Sequence, residues 1–402
     1  MKHIALATYE FHPVTPGGAG VVIGAAVRSL AREGFHCTLV CDLPKYERFL
    51  VSKLLEKDDL TPGRVDVVGV AGNEPHRTSL AGCIYEAKSD AFARALIQLH
   101  DETAIDLIEF PEYAGVALST LQAKLANRSL QNVPIALRIH GGLELIDRAE
   151  NAVDLPPDRL QMYRMERLAL RMADYVLAPS WSIGKWYQDL YMLSNNAVLV
   201  STPPVPFLTR DLRRNEGPVD PGHFIFYGRL QEVKGCDLFA EAAVSILAEA
   251  PGKGWRFTFV GSDTPCAAHR RPVSSCLRVI IPGRFRYSVE FLPAIGRAQI
   301  AEIVRTAAAA VVPSKFESFC LSAHELRSLG LPLIVSDIPA FWDFFSEETG
   351  ALRFDRTALG LRKAILRMRE EPRLASRLAR QPLPRYGSFV SAYRELVERA
   401  GS

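Results

Sequence analysis

The sequence predicts an α/β protein of two domains, each built on a parallel sheet with helices on both faces. Three observations carry this. Short apolar strands alternate with helical stretches along the chain, the order that parallel sheets require. The alternation stops at a proline-rich connector near Pro203 and then restarts. The chain has 402 residues, too many for one ordinary core, whereas two cores of about 200 residues each fall in the usual range.

The elements of the first half follow in order. Ile4–Ala7 reads as a strand, then a loop from Tyr9 to Gly20 holds Pro13, Pro16, Gly17, Gly18 and Gly20. Val21–Ala31 reads as a helix stopped by Gly34, because glycine is a usual helix terminator. His36–Cys41, Val65–Val70, Leu107–Phe110, Ile135–Ile139 and Tyr175–Ala178 are further strands, and Ser89–Leu99 is helical. Met162–Ala173 places Met162, Met165, Leu168, Ala169 and Met172 on one helical face. Ser201–Pro206 carries three prolines, which exclude helix and central strand and predict a stiff connector.

The second half repeats the pattern. Strands are expected at His223–Tyr227, Arg256–Val260, Val289–Leu292, Ala309–Val312 and Leu333–Val335. Helices are expected at Cys236–Ala248, Ala298–Ala307, Phe319–Leu329, Thr357–Arg369 and Arg373–Arg380. A last helix, Gly387–Arg399, follows the break at Pro382 and Pro384. The domains are therefore read as 1–203 and 204–384, with 385–402 a separate closing segment.

Composition excludes some classes. A net charge of +3 is too small for a dedicated nucleic-acid binder. No apolar run reaches the ~20 residues that span a bilayer, and Met1–Ala7 reads as a strand rather than a signal peptide. Seven scattered cysteines, an odd number, predict a reduced cytoplasmic setting. Cys37 and Cys41 flank a strand. Cys266, His269 and Cys276 lie near one another, but no fourth ligand stands at zinc spacing, so no metal site is expected.

Four segments carry the chemistry. In Pro313–Glu325, Glu317 falls in the loop after a strand and Glu325 falls two turns into the predicted helix. A helical period would bring carboxylates eight residues apart toward one face. The helix N-terminus there also suits a phosphate. In Tyr227–Gly235, Arg229 and Lys234 follow a strand end within a glycine-bounded loop. Two fixed cations are what a departing diphosphate requires as its charge develops. Pro16-Gly17-Gly18-Ala19-Gly20 precedes a helix and permits close approach of a ligand to the backbone. His140, in Arg138-Ile139-His140-Gly141-Gly142, stands at a strand C-terminus, where ligands bind in open α/β sheets.

Together these residues resemble the GT-B glycosyltransferases, specifically glycosyltransferase family 4, over nearly the whole chain. The resemblance runs through Gly17-Gly18, His140, Arg229 and Lys234, Val260-Gly261, the Glu317 and Glu325 segment, and Gly330-Leu331-Pro332. It implies two Rossmann-like domains facing each other across a cleft, the first binding acceptor and the second binding a nucleotide-sugar. The helix within 385–402 would pack back on the first domain. Arg229 and Lys234 would bind the diphosphate, Glu325 the ribose, Glu317 the transferred sugar, and His140 would lie near sugar and acceptor. The catalytic set implied is His140, Arg229, Lys234 and Glu317. The implied donor site is Gly17, Gly18, Arg229, Lys234, Gly261, Ser318, Phe319, Cys320, Leu321 and Glu325. The implied reaction retains anomeric configuration and uses neither metal nor cofactor. Expected partners are a UDP- or GDP-sugar and a carbohydrate, lipid-linked or small-molecule acceptor, with no nucleic acid. The expected location is cytoplasmic, with peripheral contact at the inner membrane face as the variant of it.

The chain departs from the family where Ser318 and Cys320 replace frequent glycines and Leu326 a frequent alanine, narrowing the space beside the sugar. The rival from another class is an NAD-type oxidoreductase, with Gly18-Ala19-Gly20 after a strand and Asp42 after the next. The long Tyr9–Pro16 loop and the Gly-x-Gly-x3-Gly spacing oppose it. A GT-B nucleotide-sugar epimerase or phosphorylase is the nearer rival.

Overall fold

The computed structural model describes residues 1–70, 83–126, 129–194, 197–205, 218–250, 252–266, 270–387 and 389–400. Contacts divide the chain into two compact units. The first comprises Met1–Glu144, Leu155–Val205 and Tyr386–Ser402, and the second Leu145–Asp154 and Pro206–Arg385.

In the first unit the described strands are β1 (His3–Thr8), β2 (His36–Cys41), β3 (Arg64–Gly69), β4 (Leu107–Pro111), β5 (Ile135–Arg138), β6 (Tyr175–Ala178) and β7 (Val198–Val200). They form one sheet in the order β3-β2-β1-β4-β5-β6-β7, with every pairing parallel. All residues of β1 and β4 are buried, because a central strand of a doubly covered sheet needs apolar side chains on both faces. The order reverses direction between β1 and β4, so the loops after these strands diverge and leave room for a ligand.

In the second unit the strands are β8 (Asp220–Tyr227), β9 (Arg256–Val260), β10 (Val289–Leu292), β11 (Ala307–Val312), β12 (Leu333–Ser336) and β13 (Ala351–Phe354). Their order is β10-β9-β8-β11-β12-β13, again all parallel. The reversal lies between β8 and β11. Its core is aromatic: Phe224, Phe239, Phe257 and Phe259 are fully buried and pack ring against ring.

The chain boundaries differ from a single cut near Pro203. Residues through Val205 pack with the first unit, whereas Leu145–Asp154 pack with the second. One bond there is Val233 N–H donating to Glu150 Oε1 at 3.3 Å. Pro206, the last residue of the predicted connector, lies outside the described residues. The closing helix, Phe389–Ala400, sinks Phe389, Tyr393, Leu396 and Val397 into the first unit's core.

A buried polar cluster fixes that helix. Arg138, at the end of β5, donates from Nε to Glu109 Oε1 at 2.8 Å and from Nη2 to Tyr393 Oη at 2.9 Å. It also donates to the carbonyl of Ser201 at 2.9 Å. The side chains of Arg138, Glu109 and Tyr393 are nearly inaccessible to water, so each hydrogen bond offsets a large desolvation cost.

Several elements carry little signal in the sequence. The strands β7 and β13 are three and four residues long, too short to show a period. The helix Trp181–Tyr191 does have a legible start: Ser180 Oγ accepts from Ile183 N–H at 3.3 Å as its N-cap. The helix Lys45–Leu55 buries only Val51 and Leu55, so its apolar stripe is thin.

Candidate active site

In the second unit two loops meet beyond the reversal point of the sheet. One follows β8 and carries Gly228 to Gly235, and the other follows β11 and carries Pro313 to Cys320. Lys315 N–H donates to Val233 O at 2.8 Å, joining them. Gly235 has φ 69°, and a Cβ there would fall 1.8 Å from Pro313 O. Only glycine allows this backbone course and this approach together. The result is that Lys234 Nζ reaches Glu317 Oε1 at 2.7 Å, while Ser314 Oγ donates to the same oxygen at 2.9 Å. A second bridge, Lys315 Nζ to Asp237 Oδ2 at 2.6 Å, ties the loop base.

Lys234 and Glu317 are thus brought together from positions 83 residues apart. Glu317 is buried, which strengthens its attraction for the ammonium. Arg229 is exposed on the same loop as Lys234, and Gly261 follows β9 beside Gly228. Glu325 is half-buried on the helix Leu321–Ser328. This corrects the helical-period account of the two glutamates. The helix begins at Leu321, not Phe319, so Glu325 is its fifth residue, just over one turn in. Glu317 and Ser318 belong to irregular backbone, to which a 3.6-residue period does not apply. Cys320 precedes the helix in a left-handed conformation, φ 67°, where glycine is usual. Burial pushes its thiol up to about 12, so it is no nucleophile at neutral pH. Phe319 stacks on His324, whose imidazole burial holds neutral, down to about 3.

In the first unit, Ala7, Thr8, Tyr9, Glu10, Ala19, Ile23, Glu109, Pro111 and His140 line a small pocket beyond β1 and β4. Gly17 is the N-cap of the helix Gly18–Arg32, which contributes Ala19 and Ile23 to the pocket lining. Here the glycine loop packs on a side chain of the chain itself. Gly20 N–H donates to Glu10 Oε2 at 3.2 Å, and a Cβ on Gly17 would fall 2.1 Å from that oxygen. Glu10 therefore sits at the positive end of the helix, where negative charge is favoured. Burial, with Arg138 nearby, lowers His140 to about 3, so its ring is neutral. Its loop is held by Glu112 and Glu166, both buried and both pushed up to about 7 by that burial.

Gly17, Gly18 and His140 belong to the first unit, and Arg229, Lys234, Gly261, Glu317, Ser318, Phe319, Cys320, Leu321 and Glu325 to the second. Sequence reasoning missed Glu10, Glu112, Glu166 and Ser314. Glu112 was within reach, since it directly follows the strand end at Pro111. Glu166 was not, because it lies mid-helix and far off in sequence. Among the described residues no group of three or more His, Cys, Asp or Glu is placed to hold a metal ion. His269 lies outside them. No described helix is long and apolar enough to cross a membrane.

Residues 221–371 match the family model described as glycosyl transferases group 1, and residues 17–202 match the glycosyl transferase 4-like domain. Two family models of sugar transfer leave the NAD-type oxidoreductase reading without support. A D-inositol 3-phosphate glycosyltransferase of Actinosynnema mirum is 26% identical over 84% of this chain and 81% of its own length. One from Acidothermus cellulolyticus is 27% identical over 51% of this chain and 47% of that protein. The chain spans about half the length of most curated relatives it matches. Among solved structures, sucrose-phosphate synthase from Thermosynechococcus elongatus is similar at TM-score 0.66 and 19% identity, covering 100% of this chain and 95% of that one. Anabaena HepE in complex with UDP and glucose is similar at TM-score 0.65 and 15% identity, covering 99% of each chain.

Proposed function

From the premise that the chain belongs to glycosyltransferase family 4 and has the GT-B fold, we propose that it transfers a sugar from a nucleotide-sugar to an acceptor hydroxyl with retention. The observation that carries the reading is the pairing of Lys234 with Glu317 on two loops stitched together at the sheet reversal. An ammonium held by one carboxylate bond keeps two N–H donors for an anionic ligand.

In this reading the second unit holds the donor. Arg229 and Lys234 take the diphosphate, Glu325 the ribose hydroxyls, and Glu317 the hydroxyls of the transferred sugar. As the bond from C1 to the phosphate oxygen breaks, negative charge grows on the diphosphate, where the two cations stabilise it. The acceptor oxygen bonds to C1 on the face the phosphate leaves, and its proton passes to the departing phosphate oxygen. Carbon configuration is kept, and no metal is required because the cations supply the positive charge. The pocket beside His140 takes the acceptor. Its imidazole, neutral at working pH, acts as a hydrogen-bond partner rather than as a cation. A UDP- or GDP-sugar is the donor class.

A thermal-shift screen with UDP-, GDP-, ADP- and TDP-sugars tests this. At least one should raise Tm, and anomeric analysis of the product by NMR should show the donor's configuration. No stabilisation by any nucleotide-sugar, or an inverted product, overturns it.

A further inference from the structure

The five residues from His140 to Glu144 offer backbone N–H groups at a turn that follows β5. Such a row of donors ordinarily suits an anion. Here four of them are already committed to two carboxylates. His140 N–H donates to Glu112 Oε2 at 2.5 Å, and Gly141 N–H to Glu112 Oε1 at 2.9 Å. Leu143 N–H donates to Glu166 Oε1 at 2.8 Å, and Glu144 N–H to Glu166 Oε2 at 3.4 Å. Tyr187 Oη adds a third bond to Glu112 at 2.9 Å, and Ala114 N–H a third to Glu166 at 2.8 Å. Glu112 comes from the end of β4 and Glu166 from the helix Pro157–Met172, so two elements grip one loop.

We infer that Glu112 and Glu166 are positioning residues, which as carboxylates fix the His140 loop for sugar transfer and release it when either is protonated. This rests on the reading of His140 as part of the reaction. Neither carboxylate touches substrate in that reading, so neither is catalytic.

The surroundings say which groups can titrate. Tyr9, Tyr187, Tyr191 and Glu166 face Glu112; Tyr113, Tyr191 and Glu112 face Glu166. Glu10 faces Tyr9 and Tyr113. Burial raises all four tyrosines above their ordinary range, so they stay neutral near pH 7. His140 stays neutral too, and Arg167 is engaged by Glu144. Burial places the two gripping carboxyls at about 7, so both change charge near neutrality. Adding a proton to Glu112 removes one of the oxygens that accept from the loop, which loosens His140.

The test uses Glu112→Gln, Glu166→Gln and His140→Ala in the full chain, with the nucleotide-sugar that gives the largest thermal shift. A glutamine keeps the shape but turns an NH2 toward a backbone N–H. Glu112→Gln should lower kcat by about 10²-fold, the cost of a small misplacement, with donor KM little changed. Wild-type kcat should fall steeply as pH drops through about 7, because either carboxyl can take the proton, and Glu112→Gln should keep only the shallower limb that Glu166 supplies. Stability should move the other way. A carboxyl raised on folding takes up a proton on folding, so wild type gains stability relative to Glu112→Gln as pH falls. Hydrogen exchange of the peptide spanning 139–145 needs no activity. Corrected for intrinsic rates, wild-type protection should drop on acidification, and should be low in both glutamine variants at alkaline pH. Wild-type kcat and an unaltered acid limb in Glu112→Gln, or protection independent of pH and of both substitutions, overturns the proposal. Full activity in His140→Ala with the exchange result intact overturns the role of His140 instead. Should the glutamine variants fail to fold, the wild-type exchange profile against pH decides alone.

Discussion

The His140 loop and the Lys234 loop are both held by glutamates, but by opposite electrostatic means. In the second unit, Glu317 Oε1 is paired with the side chain of Lys234 at 2.7 Å. In the first unit, Glu112 and Glu166 face backbone N–H groups and tyrosines, dipoles that only partly replace water. Burial then dominates and raises both carboxyls. The same side chain is therefore an ion-pair partner in one unit and a brace for backbone donors in the other. In the proposed reading, one loop meets an anion and the other holds a neutral ring still.

The comparison breaks most sharply at the cations. If Lys234 and Arg229 act on developing charge, Lys234→Ala and Arg229→Ala should each lower kcat by about 10²–10³-fold, with a smaller rise in donor KM. The double variant should fall short of the product of the two effects, since both serve one group. Steady-state kinetics with the matched donor checks this, and near-wild-type rates for both single variants would remove the proposed charge stabilisation.

A smaller effect is expected at Glu325. In the proposed reading Glu325→Ala removes a carboxyl acceptor for ribose hydroxyls, a bond of about 1.5–3 kcal/mol, or roughly 10–150-fold in Kd. Calorimetry with the free nucleoside diphosphate reads it directly. Unchanged affinity would assign Glu325 elsewhere.

Cys320 sharpens the contrast through the backbone rather than charge. Its left-handed φ of 67° costs an L-residue roughly 1–2 kcal/mol. Cys320→Gly removes that strain but also a buried side chain, so its stability should stay within about 1 kcal/mol of wild type. Cys320→Val, β-branched at positive φ, should be clearly less stable than Cys320→Gly in urea titration. Equal stability of the two would mean the backbone there adapts freely.

The smallest effect expected is none. If Arg229 and Lys234 supply the positive charge that a divalent ion supplies elsewhere, as proposed, turnover in EDTA should stay within about twofold of the untreated rate. Loss of turnover in EDTA, restored by manganese or magnesium, would transfer that role to a metal.

Much of this is legible in the amino-acid sequence alone. The alternation of apolar strands with helices, repeated after Pro203, determines two parallel-sheet units, since strand and helix periods are local properties of the chain. The strand ends at His140, Arg229 and Pro313 mark the loops proposed to meet ligand, because parallel strands present their C-terminal loops on one edge. The pairing of Arg229 and Lys234 on one loop is visible for the same reason: it spans a few residues. What only the tertiary structure decides joins distant positions. Lys234 meets Glu317 through the close approach of Gly235 to Pro313, which no helical period encodes. Glu112 and Glu166 converge on the His140 loop from separate elements. Glu10 turns back onto Gly17, Arg138 binds Glu109 and Tyr393, and Leu145–Asp154 pack with the second unit. Each of these depends on which surfaces the folded chain brings into contact, and hydrogen-bond partners far apart in sequence leave no periodic signal in it.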